Sequence, residues 1–329
     1  MSRRVFAIAC VLAPTILAPQ AAAQVPFPID KNARLEELGD TFTVTGRMRI
    51  PRRISIEAMR ELTIKGEGTD ATLEVSGNVK MRAATGGKIE FSNVWLELTP
   101  ECKEIHLADC LFKGRRGIRP SPDGPSDTKI FFERVDFERS ASMTIEASNG
   151  SILMDGCTLD GPLVLRGVSR SETVKSGFTV AVYGSSGRDR DRVKGLLGGV
   201  TIEGIKDGTI RTCDLAGPQA LFIDNRKLYF DGNNARAKRV EFRNTTSGGF
   251  GGLKIAKSDF RPKKLVLSSP RAEGVSERLT FDSCFFRGIE DPDTLRKEML
   301  EDSENAESGV MAVLRDVRAQ PHGLAGLED

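Results

Sequence analysis

Three ten-residue stretches of the chain align without gaps and restrict what it can fold into. They are IHLADCLFKG (105–114), ILMDGCTLDG (152–161) and LTFDSCFFRG (279–288). Each has two apolar residues two positions apart, a two-residue spacer, a cysteine, and a further apolar residue two positions after the cysteine. The alternation indicates a short strand with one buried face, and spacers such as DG and DS suit a bend. The unit is therefore a strand, a bend and a second strand.

The same frame recurs, with substitutions, along most of the chain. Further copies lie at 89–96, 130–137 and 253–260, with weaker ones at 200–205, 210–215 and 240–245. Anchor positions 94, 110, 135 and 157 are 16, 25 and 22 residues apart, and the later gaps of 56 and 45 residues hold further strand-like runs, with hardly any helical periodicity between the copies. Short strands and turns repeated at this period predict a solenoid of stacked parallel strands.

Two kinds of solenoid fit this period. Leucine-rich repeats need a leucine three positions before the first apolar residue and a helical segment in every coil. The upstream position holds instead Gly86, Cys102, Asp127, Asn149 and Ser276. The chain resembles the right-handed parallel β-helix family, the pectate-lyase-like superfamily, over residues 60–290. The carriers of that resemblance are IEFSNVWLEL, KIFFERVDFERS and the three stretches above.

The expected fold is all-β, a right-handed parallel β-helix solenoid with helices only at its ends. Residues 1–23 form the signal peptide, 24–59 the N-terminal cap and first strands, 60–290 the β-helix, and 291–329 a helical C-terminal extension and tail. Within the cap, residues 30–38 are predicted as a short helix, with Asp30 as N-cap and Gly39 after its end. A second helix is predicted to start at Asp291 and Pro292.

The first residues read as an export signal. Ser2, Arg3 and Arg4 precede an apolar stretch, and three alanines at 21–23 offer a cleavage site. The expected location is secreted or periplasmic, by the general secretory route or, since SRRVF resembles a twin-arginine signal, by that route. Removing residues 1–23 leaves 46 basic and 46 acidic side chains. A net charge of zero argues against a nucleic-acid partner, and no further stretch is apolar and long enough to span a membrane.

Four cysteines, Cys110, Cys157, Cys213 and Cys284, occupy one position of the frame and should point inward along one wall. They are 47, 56 and 71 residues apart, so at least two coils separate each from the next. Coils about 4.8 Å apart then place their α-carbons about 10 Å apart or more, too far for a disulfide. These cysteines are predicted to pack in the core as small apolar residues, and Val, Ile or Ser takes the same position in other copies of the frame. A bridge between Cys102 and Cys110 stays open.

The superfamily includes lyases, hydrolases, esterases and epimerases that act on polysaccharides, so each chemistry can be sought. The hydrolases need paired aspartates near G-H-G, and the chain has neither G-H-G nor an adjacent aspartate pair. Of its two histidines, His106 should point outward and His322 lies in the tail. Calcium-dependent lyases need several carboxylates and a basic residue. Six acidic residues are predicted to point outward: Glu90, Asp109, Glu133, Asp136, Asp155 and Asp160. Outward positions of a β-helix are usually charged, so these acids do not by themselves indicate a calcium site. Bound Ca²⁺ is expected only if the protein is a lyase.

Two segments supply candidate binding residues. Arg119 and Pro120 resemble the R-x-P of pectate lyases, a match too short to assign a catalytic role. The insertion at 166–199 carries Arg188, Arg190 and Arg192, with Tyr183 nearby, and either is a solvated loop or meets an anionic ligand. No metal site, cofactor or catalytic set is assigned.

The expected function is a secreted, non-catalytic β-helix with a binding or structural role at the cell envelope, facing a polysaccharide or another envelope component. The alternative is a polysaccharide lyase acting on uronic-acid polymers. A third hypothesis is a subunit or fragment whose groove is completed by a partner.

Overall fold

The computed structural model describes residues 25–26, 41–50, 52–138, 141–169, 171, 175–184, 195–247, 253–261, 264–268, 278–287, 291, 294 and 311–320. Within these residues, thirty strands join in a single sheet, and every pairing between strands is parallel. The described part of the chain is thus an all-β parallel β-helix solenoid, as the repeated frame predicts.

The strands are short, apart from β4 and β6, which continue around corners of the solenoid. The N-terminal strands are β1 (Val25–Pro26), β2 (Thr41–Arg49), β3 (Arg53–Ala58), β4 (Glu61–Ala83), β5 (Lys88–Ser92), β6 (Trp95–Ala108), β7 (Cys110–Lys113) and β8 (Ile118–Pro120). The central strands are β9 (Lys129–Glu133), β10 (Asp136–Phe137), β11 (Met143–Ala147), β12 (Ser151–Asp155), β13 (Thr158–Leu159), β14 (Leu163–Gly167), β15 (Thr179–Tyr183), β16 (Gly195–Leu196), β17 (Val200–Glu203), β18 (Asp207–Arg211) and β19 (Asp214–Leu215). The C-terminal strands are β20 (Gln219–Ile223), β21 (Leu228–Asp231), β22 (Asn234–Ala235), β23 (Arg239–Arg243), β24 (Leu253–Ala256), β25 (Asp259–Phe260), β26 (Lys264–Ser268), β27 (Arg278–Asp282), β28 (Phe285–Arg287), β29 (Met311–Arg315) and β30 (Arg318–Gln320).

Strand pairing sorts these elements into three faces, which each coil visits in turn. The first face stacks β3, the ends of β4 and β6, then β9, β12, β15, β18, β21, β24, β27 and β29. The second face stacks the start of β4, then β5, β7, β10, β13, β16, β19, β22, β25, β28 and β30. The third face stacks the end of β2, the middle of β4, the start of β6, then β8, β11, β14, β17, β20, β23 and β26.

The corner between the first and second faces explains the two-residue spacer of the frame. Its second residue takes a left-handed backbone conformation: φ is 54° at Asp109, 61° at Gly156 and 56° at Ser283. The residue after this bend points into the core. A polar or glycine residue before each buried cysteine is therefore a backbone requirement, because Asp, Asn and Gly tolerate this conformation best.

The cysteine column lies where the frame predicts it. All five cysteines of the described residues are buried and unbridged, which also leaves Cys102 and Cys110 as separate thiols. The Sγ atoms also face backbone oxygens: Cys213 Sγ lies 3.2 Å from the Arg211 carbonyl and 3.6 Å from the Val182 carbonyl of the preceding coil. At the same corner, Ser258 Oγ donates to the Ala256 carbonyl at 2.8 Å. The column therefore packs the core and also supplies hydrogen-bond donors to the corner.

One copy of the frame lies on a different face from the one its sequence suggests. The apolar spacing of the stretch 89–96 predicts that it lies on the same faces as the stretch that contains Cys110. The structure pairs Ile89 with Cys110 and Phe91 with Phe112, so β5 belongs to the second face. Similarly, the weaker copies at 200–205 and 240–245 begin on the third face, in β17 and β23.

The solenoid has strands on both sides of residues 60–290, including the first strands predicted within 24–59. At its N-terminal side β2 and β3 already pair with β4, and at the other end β29 and β30 extend the first and second faces within the predicted C-terminal extension. Asp291 accepts a 2.7 Å hydrogen bond from the Thr294 amide, as a helix N-cap does. The predicted capping helix at 30–38 lies outside the described residues, as does the predicted C-terminal helix apart from Asp291 and Thr294.

Candidate functional site

A groove with a volume of about 520 Å³ crosses the first face at strands β12, β15, β18 and β21. Small side chains form its floor, namely Ser151, Thr179, Ala181 and Thr209. Larger outward side chains flank the floor, with Leu153 on the N-terminal side and Tyr229 on the C-terminal side. The depression exists because the central outward row of the face changes from large to small residues and back. Its volume lies within the range of about 300–1,000 Å³ that is common for small-ligand sites.

Both tyrosines of the chain line this groove. Tyr183 ends β15, and Tyr229 is the second residue of β21, two rungs further along the solenoid. A separation of two rungs is about 10 Å along the axis. Tyr229 is 50% exposed, so its ring is accessible from solvent. Two aromatic rings thus face solvent at two edges of the same depression.

The polar lining of the groove consists mainly of hydroxyl groups. Across the described part of the chain, no hydrogen bond engages the hydroxyls of Ser151, Tyr183 or Thr209. A hydroxyl can donate and accept at once, so it adapts to a ligand that presents both kinds of group. The groove therefore offers uncommitted, neutral hydrogen-bonding groups beside two aromatic rings.

One ion pair closes the groove at the start of its strands. Lys227 Nζ lies 3.2 Å from Asp207 Oδ1 and 5.7 Å from the centroid of the Tyr229 ring. The hydrogen bond to Asp207 raises the pKa of the Lys227 amine. The lysine stays protonated and its charge is balanced by the aspartate, so this end of the groove is polar but close to neutral.

Gly184 fixes the point at which the chain leaves the groove after Tyr183. A β-carbon on Gly184 would lie 1.8 Å from the Thr212 carbonyl oxygen, so only glycine fits between these coils. Its amide donates to the Arg211 carbonyl at 2.9 Å. The predicted binding residues Arg188, Arg190 and Arg192 lie outside the described residues, in the segment that joins Gly184 to Gly195.

Arg119 lies elsewhere, on the third face, and is not brought together with Tyr183. Its guanidinium contacts Glu97 Oε2 at 2.7 Å and lies over the Trp95 ring. Glu97 is fully buried and also forms an ion pair with Arg47, while Glu74 binds both Arg47 and Arg49. Arg119 is therefore part of an ionic cluster that holds a buried carboxylate.

Apolar residues at outward positions of the first face are a sequence signal for the groove, and the repeated frame does not include them. Outward positions of a first-face strand should be polar, as His106 is, between inward Ile105 and Leu107. Phe131 and Leu153 occupy the equivalent position in the next two rungs. Lys227 and Tyr229 are harder to find from the sequence, because Asn233 replaces the cysteine of the frame in the coil of β21.

Among the described residues, no three histidine, cysteine, aspartate or glutamate side chains are placed to hold a metal ion. No helix in the same part of the chain has the length and apolar character needed to cross a membrane.

No protein-family model matches the chain, and neither a curated protein nor a solved structure matches it significantly.

Proposed function

We propose that this chain is an exported, non-catalytic β-helix protein of the cell envelope that binds carbohydrate in the groove of its first face. The solenoid is taken to be right-handed and of the pectate-lyase-like type, on the strength of the sequence resemblance. The observation that carries the proposal is the convergence of both tyrosines on a groove with unengaged hydroxyls.

The chemistry of the groove suits a sugar. A pyranose presents apolar faces of C–H groups and a rim of hydroxyls that donate and accept. Tyrosine rings provide large contact area with a polar tip, and rings near the surface suit a ligand that is apolar on one side and hydrated on the other. The neutral hydroxyls of Ser151 and Thr209 can exchange hydrogen bonds with the rim of the sugar.

A lyase acting on uronic-acid polymers would need a free base near the C5 proton and a cationic group or metal to stabilise the enolate-like charge. Arg119, the arginine closest to a lyase motif, is engaged by Glu97 and by Thr72 Oγ1. We therefore infer that the chain does not cleave such polymers. An increase in ultraviolet absorbance from an unsaturated uronate product, with or without Ca²⁺, would show that this inference is wrong.

The binding proposal is tested by calorimetry or affinity electrophoresis of the chain from residue 24 with soluble glycans. Tyr183→Ala and Tyr229→Ala should each weaken binding about tenfold, because a stacked ring contributes about 1 kcal/mol or more. The matched control is Phe285→Ala, which removes a partly exposed ring from the second face. Equal binding by wild type and both tyrosine variants would remove the groove from consideration.

A further inference from the structure

The last outward position of each first-face strand forms a row that runs past the groove. In chain order the row contains Glu133, Asp155, Tyr183, Arg211 and Asp231. Asp155 is the direct rung neighbour of Tyr183, so their α-carbons are about 4.8 Å apart. Asp155 thus lies next to one of the two tyrosines, directly outside the residues that line the groove.

The other charges near the groove are paired. Arg211 Nε lies 3.2 Å from Asp231 Oδ2, and Glu133 forms an ion pair with Arg134. Lys227 balances Asp207 at the opposite end. For Asp155, in contrast, the described residues provide neither a hydrogen bond nor an ion pair to the carboxylate. Among the described residues, the carboxylate of Asp155 is therefore a negative charge without a countercharge, on the strand next to Tyr183.

We propose that Asp155 is a specificity-determining residue that selects neutral glycans over uronic-acid glycans, an inference that rests on the proposed carbohydrate-binding function. A carboxylate accepts charge-assisted hydrogen bonds from sugar hydroxyls, and these are about twice as strong as neutral ones. The same carboxylate repels the carboxylate of a uronic acid placed on Tyr183. At a separation of about 6 Å near the surface, this repulsion disfavours the uronate about three- to tenfold.

The experiment compares the affinities of neutral oligosaccharides and oligogalacturonides of equal length for the wild-type chain and Asp155→Asn. Wild type should bind the neutral ligand more tightly. In Asp155→Asn, affinity for the neutral ligand should fall, affinity for the uronate should rise, and the ratio between them should shrink about three- to tenfold. The matched control is Asp282→Asn, in the same row four rungs beyond Tyr183 and bound to Lys254; it should leave both affinities unchanged.

The possible outcomes separate this inference from the proposed function. If wild type binds neutral sugars and Asp155→Asn leaves the ratio unchanged, the role of Asp155 is wrong while carbohydrate binding stands. Tighter wild-type binding of the uronate, weakened by salt, also overturns the role of Asp155 and points to Arg188, Arg190 and Arg192 instead. No binding of either glycan overturns the function itself, and the role of Asp155 with it.

Discussion

The guanidinium carbon of Arg119 lies 5.2 Å from the centroid of the Trp95 ring, while the same guanidinium contacts the buried carboxylate of Glu97. Trp95 is the sole tryptophan of the chain, so its fluorescence reports on this cluster alone. The cation and the ring are adjacent because β6 and β8 are neighbouring rungs of the third face, with Arg119 opposite Glu97.

Replacing Arg119 by alanine should therefore change both stability and tryptophan emission. Removing one partner of a buried ion pair costs about 3–5 kcal/mol, and the remaining contact between Glu97 and Arg47 places the expected loss near 3 kcal/mol. Emission should shift to longer wavelength as water reaches Trp95. The matched control is Arg287→Ala, since Arg287 stacks on Phe285 at 4.9 Å on the second face. Unchanged emission in Arg119→Ala would contradict the stacked arrangement.

The thiol column predicts a protein whose cysteines are free but unreactive. Burial raises the pKa of Cys102 to about 11 and that of Cys157 to about 12, and thiolates are the reactive form. Alkylating reagents at pH 8 should leave the native chain from residue 24 unmodified and label five cysteines after denaturation. Cys157→Phe should lower the free energy of unfolding by about 1–3 kcal/mol through overpacking, whereas Cys157→Val should be mild. Rapid labelling of the native protein would show that the column is exposed.

The same thiols predict a loss of stability at alkaline pH. Burial raises the pKa of Cys110, Cys157 and Cys213 from the ordinary 9.0 to about 12. A raised pKa stabilises the fold below the unfolded value, and this contribution is lost as the pH rises from about 9 towards 12. Each thiol changes the free energy of unfolding by about 1.4 kcal/mol per pH unit in that window. Cys157→Val should reduce the pH dependence of the free energy of unfolding by the contribution of one thiol. The same pH dependence in wild type and variant would contradict the burial of Cys157.

Acid should weaken the second face through Glu90. Burial acts to raise the pKa of this carboxyl, but hydrogen bonds from Lys88 and Lys113 outweigh it and lower the pKa below the ordinary 4.5. Its stabilising contribution is present above the unfolded value and lost as the pH falls through the folded value. Glu90→Gln should therefore lower stability at pH 6, and the difference from wild type should shrink towards pH 3. A difference that stays constant across this range would exclude the ionised pair as its source.

The sequence predicted the coil and its cysteine corner but could not assign every strand to a face. Two corners of the solenoid have the same local pattern: Leu107 reaches Cys110 across a left-handed Asp109, and Phe242 reaches Thr245 across a left-handed Asn244. Because apolar spacing and bend residues agree at both corners, only the pairing of successive coils distinguishes them.

The candidate site could be predicted only in part, for a related reason. Tyr183 was found from its position beside the insertion. The small residues that deepen the groove, such as Ala181 and Thr209, are ordinary on any strand, and they form a floor only because β15 and β18 are adjacent. Tyr229 joins the site through β21, one rung further, whose sequence lacks the cysteine of the frame.

Stacked phenylalanine rings fill both ends of one inner row of the solenoid. On the second face, Phe91, Phe112 and Phe137 stack at 4.6 and 4.5 Å, and Phe260 stacks on Phe286 at 5.0 Å. Between them the same row holds Leu159, Leu196, Leu215 and Ala235. On this face, we expect the rod to bend more easily in its middle section, where flexible aliphatic side chains replace the stacked rings. The groove crosses the first face along this section, so a load applied to the two ends would deform the rod at the candidate site.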